Sequence, residues 1–158
     1  GVVIIMDTRE QDGLSFPKDS SIDRVESATL SVGDYACRFK DGYIPAVRFE
    51  RKSLGDLYGT MTHGYKRFKA EMRRAQDQGL RLILIVEDPL AVVRAGYDHS
   101  SVLGSSMEQK LFTLMIRYGL AIVFCLDRRD MARYMVEYFK AIGREYVINT
   151  RLHKGVRG

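Results

Sequence analysis

Three short apolar runs, Val2–Met6, Leu82–Val86 and Ala121–Leu126, constrain this chain more than any other feature. Each is rich in Val, Ile or Leu, has the length of a strand and ends at charge, as a β-strand covered on both faces does. Between them the apolar period becomes helical. Leu54, Leu57, Tyr58 and Met61 follow Ser53, a candidate cap; Tyr65, Phe68, Met72 and Ala75 fall on one side of Tyr65–Gln78, with Gly79 as a stop. A short helix is expected near Leu90–Arg94, and loops over 11–20 and 96–104. Ser105 and Glu108 have capping-box spacing at the head of a helix carrying Met107, Leu111, Leu114, Met115 and Tyr118. Asp127 caps a last helix with Met131, Tyr134, Met135, Tyr138, Phe139 and Ile142.

From Arg24 to Glu50 the pattern is one of antiparallel strands, with Val25, Ala28, Leu30, Val32, Tyr35 and Cys37 as apolar positions. Lys40-Asp41-Gly42 supplies a hairpin turn, and Pro45 restricts the second arm to an edge or a strand start. The expected fold class is α/β: a mixed central sheet flanked by helices, in one domain over residues 1–143, followed by a basic tail at 144–158.

Several function classes fall away. A membrane span needs about 20 apolar residues, and no run approaches that; the N-terminal run also lacks the basic leader of a signal peptide. Cys37 and Cys125 lie in apolar stretches without metal or redox spacing, which fits buried thiols in a reducing compartment. His63, His99 and His153 have no ligand spacing. A net charge of +5 permits a polyanionic partner without requiring one.

Charge gathers where strands begin or end: Asp7-Thr8-Arg9-Glu10, Gly33-Asp34, and Glu50-Arg51-Lys52 with Asp56. Glu50 and Lys52 are two residues apart, so on an extended strand they share a face while Arg51 points to the other. Mg²⁺ takes one or two carboxylates and fills its shell with water and phosphate oxygens. A lysine on the same face lowers the pKa of an attacking water or offsets charge building on phosphorus. Carboxylates, lysine and Mg²⁺ are the requirements for cutting a phosphodiester. Taken singly, each residue reads better as an ordinary surface charge or turn residue.

Taken together they resemble the XPF family of structure-specific nucleases, whose signature is G-D, a variable gap, then E-R-K-x-x-x-D. Gly33-Asp34 and the stretch from Glu50 to Asp56 match every fixed position in order, and Asp7-Thr8-Arg9-Glu10 matches the family's D-x-R-E strand end. The resemblance is close over about residues 2–75 and rests on element order beyond.

This resemblance implies a restriction-endonuclease-like fold and a Mg²⁺-dependent endonuclease, with Mn²⁺ as a substitute. Asp34, Glu50 and the Arg51 carbonyl would hold the metal, Asp7 would lie near it, and Lys52 would be base or electrostatic stabiliser. Arg9 and Arg51 would hold phosphate or brace the acids, and Asp56 would orient Arg51 or Lys52. Arg9 and Glu10 have the alternative of a structural ion pair. The expected reaction is hydrolysis of one strand of branched, flap or fork DNA in repair or recombination, inside the cell: in a eukaryotic nucleus, or in prokaryotic or viral cytoplasm. The alternatives are a non-catalytic DNA-binding scaffold subunit of a nuclease heterodimer, and a junction resolvase or restriction-type nuclease on the same fold.

The helix from Tyr65 adds Lys66, Arg67, Lys69, Arg73 and Arg74, with Glu71 the one acid among them, as phosphate contacts or as a solubilising face. Arg144, Arg151, Lys154 and Arg157 extend the basic character into the tail. The last two helices have broad apolar stripes, so a homodimer or heterodimer is expected through them, core packing being the alternative. Gly1 in place of Met leads us to expect a processed or excised end. The family usually carries a tandem helix-hairpin-helix domain after the nuclease domain, and this chain leaves no room for one.

Overall fold

The computed structural model describes residues 1–157, except for the side chains of Ile148, Thr150 and residues 151–157. The elements are β1 (Val2–Asp7), β2 (Ile22–Ala28), β3 (Tyr35–Phe39), β4 (Val47–Lys52), α1 (Leu54–Met61), α2 (Tyr65–Asp77), β5 (Arg81–Val86), α3 (Leu90–Ala95), α4 (Gly104–Tyr118), β6 (Ala121–Phe124) and α5 (Arg128–Arg157). The strands form one mixed sheet in the order β2-β1-β3-β4-β5-β6. β3 pairs antiparallel with β1 and β4, whereas β5 runs parallel to β4 and β6 parallel to β5.

Helices cover both faces, and β5 shows why its sequence is continuously apolar. Leu82, Leu84 and Val86 face a core built with Leu57, Tyr58 and Met61 of α1, Phe68 of α2 and Met107, Leu111 and Leu114 of α4. Ile83 and Ile85 face the opposite core, where Phe49 meets Met131, Met135 and Phe139 of α5. Phe49 is fully buried, with the rings of Tyr134, Tyr138 and Phe139 set edge-on around it. Burying one such side chain is worth about 1.5–3 kcal/mol, so α5 is anchored chiefly through its first half.

Local expectations hold at the caps and the turn. Ser53 Oγ accepts the Asp56 N–H at 3.2 Å, and Asp127 Oδ1 accepts that of Asp130 at 2.8 Å. Gly42, at φ +90°, closes the β3–β4 turn with its N–H on the Phe39 carbonyl, and Pro45 lies before β4 rather than within it. Cys37 and Cys125 are buried free thiols.

Four expectations are corrected. β2 is parallel to β1, not part of an antiparallel run, because the chain crosses back over the 8–21 loop and joins the outer edge. Leu30 and Val32 are buried in the loop before β3, so their spacing reflected packing and not a strand. The Ser105–Glu108 capping box does not form: α4 begins at Gly104 without a side-chain cap, and Glu108 binds Arg94 of α3 at 2.6 Å instead. β6 stops at Phe124, two residues before the expected end. Beyond Gly143 the backbone continues as helix to Arg157, and the tail cations Arg151, Lys154 and Arg157 lie outside the described side chains. Among the described residues no helix is long and apolar enough to cross a membrane.

Candidate active site

The acidic end of the hairpin is assembled by backbone first. Gly33 adopts φ +77°, and a Cβ there would stand 2.8 Å from Arg48 Cβ and 3.2 Å from the Phe49 carbonyl, so only glycine fits without displacement. That close approach lets the Asp34 N–H reach the Phe49 carbonyl at 2.7 Å. The Arg51 N–H then donates to Asp34 Oδ2 at 2.7 Å. In a strand a residue's N–H and C=O point the same way, so the Arg51 carbonyl also faces the Asp34 side.

Glu50 and Lys52 share a face, as their spacing requires, with Lys52 Nζ 3.4 Å from Glu50 Oε1. Arg51 points the other way. Its guanidinium, only 7% exposed, makes a two-pronged contact with Glu10 at 2.9 and 3.3 Å and lies 3.6 Å from Glu87. Arg9 therefore does not pair with Glu10; it binds Asp7 at 2.9 Å and the Leu30 carbonyl at 2.6 Å. Asp7, almost fully buried, also accepts the Leu30 N–H at 2.9 Å. Burial pushes the Asp7 carboxyl up, but the bonds from Arg9 and Leu30 outweigh it and leave the group below its ordinary value. Both Asp7 oxygens are thus engaged in bracing the end of β1.

Asp34 and Glu50 behave oppositely. Burial pushes Asp34 up to about 7, with the Glu10 and Glu71 charges adding to it against the Arg51 N–H and Lys52. Burial, with the neighbouring Asp34 and Glu71 adding to it against Lys52, raises Glu50 to about 9. Carboxylates that resist ionisation when crowded together would ionise more readily with a positive charge between them. Hard oxygen donors suit a hard divalent cation. Among the described residues no three acidic, His or Cys side chains form a ready-made cage. The donors that could hold such an ion are Asp34, Glu50 and the Arg51 carbonyl.

Glu50 and Lys52 line a cleft of about 460 Å³ whose walls also include Arg9, Asp56, Arg67, Glu71 and Arg74, while Asp34 and Arg51 lie behind its lining. Gly55, Gly59 and Gly64 leave part of the wall without side chains. Asp56 is exposed at this cleft and forms no ion pair with Arg51 or Lys52 among the described residues. Arg67 and Arg74 line it, whereas Lys66, Lys69 and Arg73 project from α2 away from it.

Two contributors escaped the sequence reading. Glu71, an acid in the middle of a basic helix, reaches the Glu50 carboxylate and lies 3.9 Å from Arg74. Glu87 joins Glu10 around Arg51, and its N–H bonds the Lys52 carbonyl at 2.9 Å. Their signals were slight: an isolated acid among five cations, and an acid at the end of the strand beside β4.

Residues 6–138 match the family model for the ERCC4 domain. Two solved structures share the fold. XPF from Aeropyrum pernix aligns with TM-score 0.65 and 19% identity over 94% of this chain and 68% of that one. XPF from the same organism in complex with DNA aligns with TM-score 0.64 and 19% identity, over 90% of this chain and 65% of that one. No curated protein matches the chain. The sheet and its helices therefore have the restriction-endonuclease-like α/β arrangement of XPF, and this chain spans about two thirds of the length of those structures.

Proposed function

The chain belongs to the ERCC4 domain family, and from that premise we propose that it is a Mg²⁺-dependent endonuclease cutting one strand of branched, flap or fork DNA. The observation that carries the reading is the meeting of Asp34, Glu50 and Lys52 on one seam, with two carboxylates held where neither ionises easily. The described complex of XPF with DNA supports nucleic acid as the partner.

Asp34 and Glu50, with the Arg51 carbonyl, would hold the metal ion, which when bound would polarise a phosphodiester oxygen and neutralise charge. Lys52, close to Glu50 and 17% exposed, supplies a second positive charge toward the reacting phosphate and lowers the pKa of the attacking water. Arg9, Arg67 and Arg74 seat neighbouring phosphates along the cleft. Asp7, Glu10 and Glu87 act one step back, by fixing Arg9 and Arg51. Water adds to phosphorus as the 3′-oxygen leaves, giving 5′-phosphate and 3′-hydroxyl ends suited to repair or recombination.

A labelled flap incubated with Mg²⁺ tests this. Asp34→Asn, Glu50→Gln and Lys52→Ala are each expected to cut at least about 100-fold more slowly, the usual scale for removing an electrostatic catalytic group, while still binding the flap in Ca²⁺. Unchanged cleavage in these variants overturns the residue assignment, and binding without cleavage by the parent protein favours a scaffold subunit.

Dimerisation is proposed through the outer face of α4. The α5 stripe is spent on the core, but Phe112, Met115 and Ile116 remain exposed, Ile116 by 85%. Light scattering on Ile116→Glu reports it: a monomer is expected where the parent protein is a dimer.

A further inference from the structure

Among the described residues several arginines are partnered: Arg9 with Asp7, Arg38 with Glu26, Arg51 with Glu10, Arg94 with Glu108, Arg128 with Asp12 and Arg133 with Asp130. One groove gathers several cations that are not. Lys69 and Arg73 of α2, Arg81 at the start of β5 and Arg117 at the end of α4 line a hollow of about 630 Å³ that contains no acidic residue. All four are exposed, and none has a carboxylate partner among the described residues. Lys69 lies 5.3 Å above the Tyr65 ring, and the half-exposed Tyr118 stands at the opposite wall.

α2 is the partition between this groove and the catalytic cleft. Arg67, Glu71 and Arg74 line the cleft, while Lys69 and Arg73 line the groove. At about 100° per residue, positions two away from Glu71 lie on nearly the opposite side of the helix. A single helix, about 10–12 Å across with its side chains, therefore separates two cationic tracks. A linear duplex needs one. Branched DNA has a second arm that leaves the junction in another direction with its own phosphates.

We propose that the groove between α2, the start of β5 and the α4–β6 turn binds the phosphate backbone of the second arm of a branched DNA. The proposal rests on the nuclease reading for the identity of its ligand as DNA, and it adds Arg81 and Arg117 to the substrate contacts. Clustered unpaired cations of this kind bind backbone without reading sequence, and each phosphate neutralised steepens the salt dependence of binding by about 0.9 in log–log slope.

The test is fluorescence anisotropy of a labelled fork and of a linear duplex of equal length, in Ca²⁺ so that cleavage does not intervene, across a salt series. Arg81→Glu/Arg117→Glu is compared with the parent protein, and Arg81→Gln/Arg117→Gln serves as the milder pair should charge reversal disturb folding. Fork affinity is expected to fall at least tenfold and the fork's salt slope by about 1–2, with linear-duplex affinity changed less than threefold. Unchanged fork binding overturns the proposal. So does an equal loss on fork and duplex, which marks a general polyanion surface. Because the readout is binding, a protein that cuts nothing but loses fork preference in these variants overturns the nuclease reading and leaves the groove standing.

Discussion

The Arg51 N–H donates to Asp34 Oδ2 at 2.7 Å, so the strand that carries Glu50 and Lys52 also holds the opposing carboxylate. The Asp34 N–H returns a bond to the Phe49 carbonyl at 2.7 Å. β3 and β4 share only one registered pair, Tyr35 with Phe49, and these two bonds continue the contact past it. The site's geometry is thus set largely by main chain. Side chains then decide charge.

Gly33→Ala is expected to damage both stability and activity. Its φ of +77° and the 2.8 Å approach to Arg48 Cβ leave no strain-free position for a methyl group. Such strain costs about 1–3 kcal/mol, and a domain of this size loses roughly 2–4 °C of Tm per kcal/mol. Calorimetry together with flap cleavage checks this; an Ala variant with parental Tm and rate contradicts it.

Glu10→Ala strands a buried cation. Arg51 is 7% exposed and Glu10 9%, and Glu87 is more distant at 3.6 Å. Breaking a buried pair by removing one partner costs about 3–5 kcal/mol. Urea unfolding is expected to show a loss of that order in Glu10→Ala, and a smaller one in Glu10→Ala/Arg51→Met, where the charge leaves with its partner. A double variant as unstable as the single variant removes the argument.

Glu71→Gln is expected to weaken divalent-cation binding about three- to tenfold, since an opposite charge near a cation is worth roughly 1 kcal/mol in a partly wet site. The carboxylate reaches Glu50 from across the cleft. Calorimetric titration with Mn²⁺ measures this without DNA, and identical affinities show that Glu71 contributes no field at the metal.

Without divalent cations, stability is expected to fall as pH rises. Burial and mutual repulsion raise Asp34 to about 7 and Glu50 to about 9 in the folded protein, against about 4 for unfolded carboxyls. Between those values the folded state binds more protons than the unfolded state, so this contribution is complete below about pH 4 and is lost as pH climbs through the folded values. In EDTA, Tm measured from pH 5 to pH 9 should decline more in the parent protein than in Asp34→Asn/Glu50→Gln, and Ca²⁺ should reduce the difference. Parallel curves in EDTA refute it.

What could be read along the chain was whatever a local period or a short-range bond controls. Period-two alternation put Glu50 and Lys52 on one face and Arg51 on the other, because a strand's geometry leaves no alternative. Ser53 and Asp127 capped the helices they precede because the donors lie three residues away. Even the G-D pair has a local reason, the positive φ at Gly33.

Partner choice across elements was decided only when the sheet closed. Glu10 could pair with its neighbour Arg9, yet Arg9 turned to Asp7 and Glu10 to Arg51, forty-one residues on. Glu108 gave up a cap three residues away for Arg94. β2 joined β1 in parallel, which no alternation of side chains specifies. In each case a long charged side chain or a strand edge had several acceptable partners nearby in sequence. The sequence by itself determined that Glu50 and Lys52 share a face, through backbone periodicity, and the β3–β4 pairing then brought Asp34 to them. Only the tertiary structure decided that Glu71 would face it and that α2 would divide two cationic tracks, because those neighbours are set by the packing of apolar faces far from the charges themselves.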